Sequence, residues 1–142
     1  MNLDLAGAFA VPAFAAFFGE RHLATLVTLR PDGTPHAVPV GVTVEPQSGT
    51  AWVICSRTSA KARNVEAAGA AGVPAAVSQV DGGRWATLEG RAYLRSDPDT
   101  IAAAVARYAL RYRQPGPNPL RVVLEIAVTR VLTGPALRPP AP

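Results

Sequence analysis

Alternating apolar runs punctuated by turn signals constrain this chain more tightly than any other feature. Leu23, Thr25, Val27 and Leu29 alternate with Ala24, Leu26 and Thr28, and Arg30-Pro31-Asp32-Gly33 then supplies turn chemistry before another alternating run. That second run, His36 to Val44, sets Val38, Val40, Val42 and Val44 on one face and Ala37, Pro39, Gly41 and Thr43 on the other, because successive strand side chains point to opposite sides. Glu45-Pro46-Gln47-Ser48-Gly49 turns the chain into a third run, Ala51 to Ser56, with Trp52 and Ile54 on one side. A fourth strand is predicted over residues 74–80, and Asp81-Gly82-Gly83 leads into a long fifth, Arg84 to Arg95. The last, Arg121 to Leu132, alternates Val122, Leu124, Ile126 and Val128 with Arg121, Val123, Glu125 and Thr129. Runs joined by such short turns pair antiparallel.

Helical signals fall between these runs. Residues 4–19 read as an N-terminal helix opened by Asp4, which Pro12 either kinks or divides into two pieces. Ser59 caps a short helix through Lys61, Asn64 and Ala67, ended by the Gly-rich stretch that follows. Ser96-Asp97-Pro98-Asp99 starts a helix to Arg113 with the stripe Ile101, Val105, Tyr108 and Tyr112, and residues 114–119 form a Pro-rich loop. Six strands with two or three short helices describe a mainly β, antiparallel barrel with helices over its ends. With 142 residues, 49% of them apolar, the whole chain reads as one domain, residues 1–19 being the N-terminal helix and residues 134–142 a mobile Pro-rich tail.

Several function classes drop out. The apolar stretch from Leu5 to Phe18 has no Lys or Arg before it, is broken by Pro12 and is short of a bilayer span, so it reads as a packed helix of a cytoplasmic protein with no membrane partner. The formal charge of +4 favours an anionic partner, but the basic residues form no run, which argues against nucleic acid. The single cysteine, Cys55, sits in an apolar run and reads as a buried hydrophobe, and two histidines offer no metal-ligand spacing, so no metal is expected. There is no Gly-x-Gly-x-x-Gly turn, no phosphate loop and no Ser-His-Asp arrangement.

The positive signals are local. Pro39 and Gly41 leave one strand face nearly bare, which either receives a flat ring or marks an edge strand with Gly41 relieving crowding. Lys61, the only lysine, stands at the start of a short helix with Arg57 and Ser59 nearby, either a phosphate seat or a solvated basic turn. Gln79, Arg84 and Trp85 flank the Asp81-Gly82-Gly83 turn, and Trp85 suits a ligand or ordinary packing equally.

An ordered string of motifs adds to this: Glu20-Arg21-His22-Leu23-Ala24, Thr28-Leu29-Arg30, Pro35-His36, Val40-Gly41, Lys61-Ala62 with Asn64, Ser78-Gln79-Val80-Asp81-Gly82, Arg84-Trp85, Leu88-Glu89-Gly90-Arg91-Ala92, Arg107-Tyr108-Ala109, Arg111-Tyr112-Arg113 and Pro117-Asn118-Pro119. Over about residues 20–133 the chain resembles the actinobacterial biliverdin reductases that use coenzyme F420, within the pyridoxamine phosphate oxidase-like split-barrel proteins. The resemblance implies a homodimeric split β-barrel with two cofactors at the subunit interface, which transfers a hydride from reduced F420 to the tetrapyrrole biliverdin, giving bilirubin, with no covalent catalytic residue. A related barrel enzyme using flavin mononucleotide (FMN), or a module that only binds an anionic ligand, are the competing readings. It further implies a cofactor ring against His36, Val38, Pro39, Val40, Gly41, Thr43, Ile54 and Ser56. The phosphate would lie by Arg57, Ser59, Lys61, Ala62 and Asn64, with Gln79, Val80 and Trp85 completing the pocket and Arg84 seating the substrate propionates.

Overall fold

A computed structural model describes residues 3–140. Its seven strands are β1 (Ala24–Leu29), β2 (Pro35–Val40), β3 (Thr43–Glu45), β4 (Thr50–Ser56), β5 (Val73–Asp81), β6 (Arg84–Arg95) and β7 (Arg121–Thr133). The helices are α1 (Leu5–Phe9), α2 (Pro12–Gly19), α3 (Ala60–Ala68) and α4 (Pro98–Arg111). Pro12 begins α2 and so divides the N-terminal helix in two, as a residue without an N–H does best at a first turn. The Asp97 carboxylate accepts from the Thr100 N–H at 3.0 Å to open α4, and Ser59 Oγ accepts from the Ala62 N–H at 3.3 Å to open α3.

All neighbouring strands pair antiparallel, in the order β2-β1-β5-β6-β7-β4-β3. The two edges of this sheet, β2 and β3, are consecutive in the chain, so the sheet must curl until its edges meet. Leu26, Val53, Val77, Leu88, Leu124 and Ile126 fill the interior, and each such side chain stabilises the fold by roughly 1.5–3 kcal/mol. Phe14 and Phe17 of α2 join the same core, with the Phe14 and Phe18 ring centroids 5.0 Å apart.

The single second run expected from sequence is two strands, which makes seven rather than six. Its interruption at Gly41–Val42 is built from α4. The Val42 N–H donates to Tyr112 Oη at 3.1 Å and the Val42 carbonyl accepts from Arg111 Nη1 at 2.6 Å, so this residue's backbone needs no neighbouring strand. The alternation slips there: Thr43, expected on the bare face with Pro39 and Gly41, is buried beside the equally buried Val42.

The C-terminal segment also departs from expectation. Rather than a loose tail, Pro135–Leu137 forms a 3-10 turn that buries Leu137. Gly134 permits this, since a Cβ there would lie 2.5 Å from Trp85 Nε1. Residues 141–142 of the expected tail lie outside the described residues.

Candidate functional site

Because β2 pairs only with β1 on one side, and β3 rather than β2 pairs with β4, the barrel is split between β2 and β4. A cleft of about 280 Å³ sits at this split. Pro39, Val40 and Gly41 at the end of β2 line it, with Ile54, Cys55 and Ser56 of β4, Lys61 of α3, Tyr108 of α4, and Pro115, Asn118 and Arg121 from the loop into β7. Small or flat surfaces prevail at one end. A Cβ on Gly41 would stand 2.8 Å from Tyr108 Cε2 and 3.1 Å from Tyr112 Cε2, so the missing side chain lets the two tyrosine rings close against the strand.

The charged end lies where β4 runs out. Ser59 Oγ donates to the Ser56 carbonyl at 2.7 Å and fixes the turn into α3, which carries Lys61. Among the described residues no carboxylate lies within ion-pair distance of Lys61 or Arg121, and none lines the cleft. Burial pushes the Cys55 thiol up, outweighing Ser59 and Lys61, so it stays protonated and is a poor nucleophile. A cleft with apolar walls at Pro39, Val40 and Ile54 and unneutralised cations at its other end fits a flat heterocycle that carries an anionic chain. A deazaflavin or flavin has that chemistry, and Lys61 with Ser56 would hold its anionic end.

Residues 10–133 match the family described as pyridoxamine 5'-phosphate oxidase. The chain belongs to this family. It is 52% identical over 117 residues to the F420H(2)-dependent biliverdin reductase of Mycobacterium tuberculosis (strain CDC 1551 / Oshkosh), covering 82% of each chain. A conserved hypothetical protein of Mycobacterium tuberculosis superposes with a TM-score of 0.71 at 22% identity over 92% of this chain and 88% of the other. A structure described as an F420 reductase gives a TM-score of 0.64 at 21% identity over 82% and 94%. These two likenesses establish the shared fold.

In this pyridoxamine 5'-phosphate oxidase-family chain the cleft brings together six of the expected residues, Pro39, Val40, Gly41, Ile54, Ser56 and Lys61. The others lie elsewhere. Val38 packs against the core and Ala62 is buried in it. His36 faces Thr28 across β1, with its Nδ1 unpartnered, and Asn64 Nδ2 donates to Thr28 Oγ1 at 3.1 Å. Arg57 turns away, Nη2 reaching Glu66 Oε2 at 2.8 Å. Gln79 is fully buried, its Nε2 donating to the Phe17 carbonyl and its Oε1 accepting from Arg111 Nη2 at 2.7 Å. Val80 is exposed on the outer face, and Trp85 lies over Gly134.

Arg84, expected to seat substrate carboxylates, lies outside the cleft lining and is paired with two carboxylates of the chain itself. Its Nη2 donates to Glu20 Oε1 at 2.9 Å and to Asp81 Oδ2 at 2.7 Å. Glu20, His22 and Asp81 are grouped closely enough to suggest a metal site, but the guanidinium already stands among them. Hydrogen bonds from Arg84, then His22, lower the Glu20 carboxyl from 4.5 to about 2. A depressed carboxyl contributes stability that is complete above its unfolded pKa and disappears as pH falls toward the folded one. Glu20→Gln should therefore flatten the loss of stability between pH 4.5 and about 2, read as urea midpoints, whereas parallel acid limbs would contradict the pairing.

Sequence reasoning missed Cys55, Tyr108, Pro115, Asn118 and Arg121 as cleft residues. Two signals were present: a Pro-rich loop that cannot pair as strand, and an arginine at the first position of an otherwise apolar β7.

Proposed function

We propose that this chain is an oxidoreductase that holds reduced coenzyme F420 in the split cleft and reduces biliverdin to bilirubin. The observation that carries this is the cleft itself, with apolar walls from β2 and β4 and an ammonium without a carboxylate partner among the described residues, in a chain 52% identical to a biliverdin reductase named for F420H(2). When bound, the deazaflavin supplies the hydride. The protein's part is to position two planar partners and exclude water. Pro39, Gly41 and Ile54 form the flat side, Tyr108 and Pro115 narrow the cleft, and Lys61 anchors the anionic end. FMN is the alternative occupant, since its phosphate suits the same cation.

A homodimer is part of the proposal. Leu23, Val80 and Trp85 stand 68%, 67% and 36% exposed on or beside β1, β5 and β6, apolar surface that a second copy would cover. We further place the enzyme in the cytoplasm, in keeping with a free thiol at Cys55. No described helix is long and apolar enough to cross a membrane.

The test is to mix the purified chain with reduced F420 and biliverdin and follow bilirubin absorbance. Turnover well above buffer is expected, and none would refute the substrate assignment.

A further inference from the structure

The arginines of the barrel divide by what already occupies them. Arg57 is held by Glu66, Arg84 by Glu20 and Asp81, and Arg107 by Glu45 and the Val44 carbonyl. Arg111 is buried among carbonyls and Gln79. Arg121 differs. Its guanidinium makes one hydrogen bond, Nη2 to the Gly116 carbonyl at 2.7 Å, and no ion pair among the described residues.

Its placement is fixed from both sides. In the β4–β7 register Arg121 stands opposite Ser56, and directly opposed strand residues lie about 5 Å apart with side chains on one face. The Arg57 N–H donates to the Leu120 carbonyl at 2.8 Å, which ties the start of β7 to the turn leading to Lys61. On the loop side, Asn118 Oδ1 accepts from the Leu120 N–H at 2.9 Å and the Asn118 carbonyl from the Arg121 N–H at 3.1 Å. Pro115, Pro117 and Pro119 stiffen the same loop. Arg121 thus lines the cleft alongside Lys61, and two unneutralised cations sharing one site gain most when an anion completes it.

We propose that Arg121 is the second cation of the anion seat, and that with Lys61 it makes the cleft select a cofactor whose side chain is anionic. Arg57, the partner suggested by sequence proximity, is replaced by a residue that the barrel brings in from β7. This rests on the reading that the cleft holds a deazaflavin.

The experiment titrates wild type and Arg121→Gln with two ligands, following fluorescence. One ligand is coenzyme F420; the other is the deazaflavin analogue of riboflavin, which ends in a free ribityl hydroxyl and carries no phosphate. Arg121→Gln should weaken F420 binding by about tenfold or more, leave the phosphate-free analogue unchanged, and keep the wild-type thermal midpoint. An unchanged F420 affinity would overturn the proposal, and so would an equal loss for both ligands, which marks a role in shaping the cleft. Wild type that binds neither ligand would overturn the deazaflavin reading, and this inference with it.

Discussion

Arg111→Met is expected to destabilise the fold by about 2–4 kcal/mol, read from urea unfolding, because it removes the donor that joins four segments. Its Nε donates to the Glu20 carbonyl at 2.8 Å, Nη1 to Val42 at 2.6 Å, and Nη2 to Gln79 Oε1 at 2.7 Å and to Phe17 at 3.4 Å. Phe17 keeps a second donor, Gln79 Nε2, whereas the Val42 carbonyl does not, because the one Tyr112 hydroxyl proton goes to the His22 carbonyl at 2.7 Å. Glu20 and Gln79 Oε1 also lose theirs. Desolvation holds the Arg111 pKa down, so the cation is costly to bury and its removal returns part of the loss. Those opposing effects set the range. A change under about 1 kcal/mol, no more than that of an ordinary substitution, would show that the Gly41–Val42 break is held by something else.

Lys61→Ala is expected to separate binding from folding. The ammonium has no carboxylate partner among the described residues, so its loss leaves nothing unpaired and should move stability by less than about 0.5 kcal/mol. Deleting a charge-assisted hydrogen bond to an anion costs about 1.5–3 kcal/mol, which is a rise in Kd of roughly 10- to 100-fold for F420. Calorimetric titration of the variant checks this. Unchanged affinity would remove Lys61 from the site, and an equal fall in stability would make its role structural.

The fold was legible wherever local chemistry sets it. Asp81-Gly82-Gly83 closes a hairpin whose second strand, β6, runs from Arg84 to Arg95 as the alternation indicates. Ser59 caps the helix it was expected to cap, and the Ser96-Asp97-Pro98-Asp99 start is realised with Asp97 as the cap of α4. The break at Gly41–Val42 was not legible, because Tyr108, Arg111 and Tyr112 make it from a distant helix. A run of alternating valines carries no mark of that contact.

The site divides in the same way. Pro39, Gly41, Ile54 and Ser56 were readable from strand position, and Lys61 from its isolation as the sole lysine. Which arginines are free was not readable. That depends on tertiary pairing: Glu66 lies within α3, nine residues from Arg57, yet Glu20 reaches Arg84 across 64 positions of sequence. Arg121 stayed hidden for the converse reason, since only the β4–β7 register sets it beside Ser56.

Titration of the wild-type chain with coenzyme F420 and, separately, with FMN, followed by fluorescence, bears most directly on the cleft as the seat of a deazaflavin. Saturable F420 binding, tighter than that of FMN, is expected. Tight FMN binding with none for F420 would contradict the deazaflavin reading, as would indifference to both.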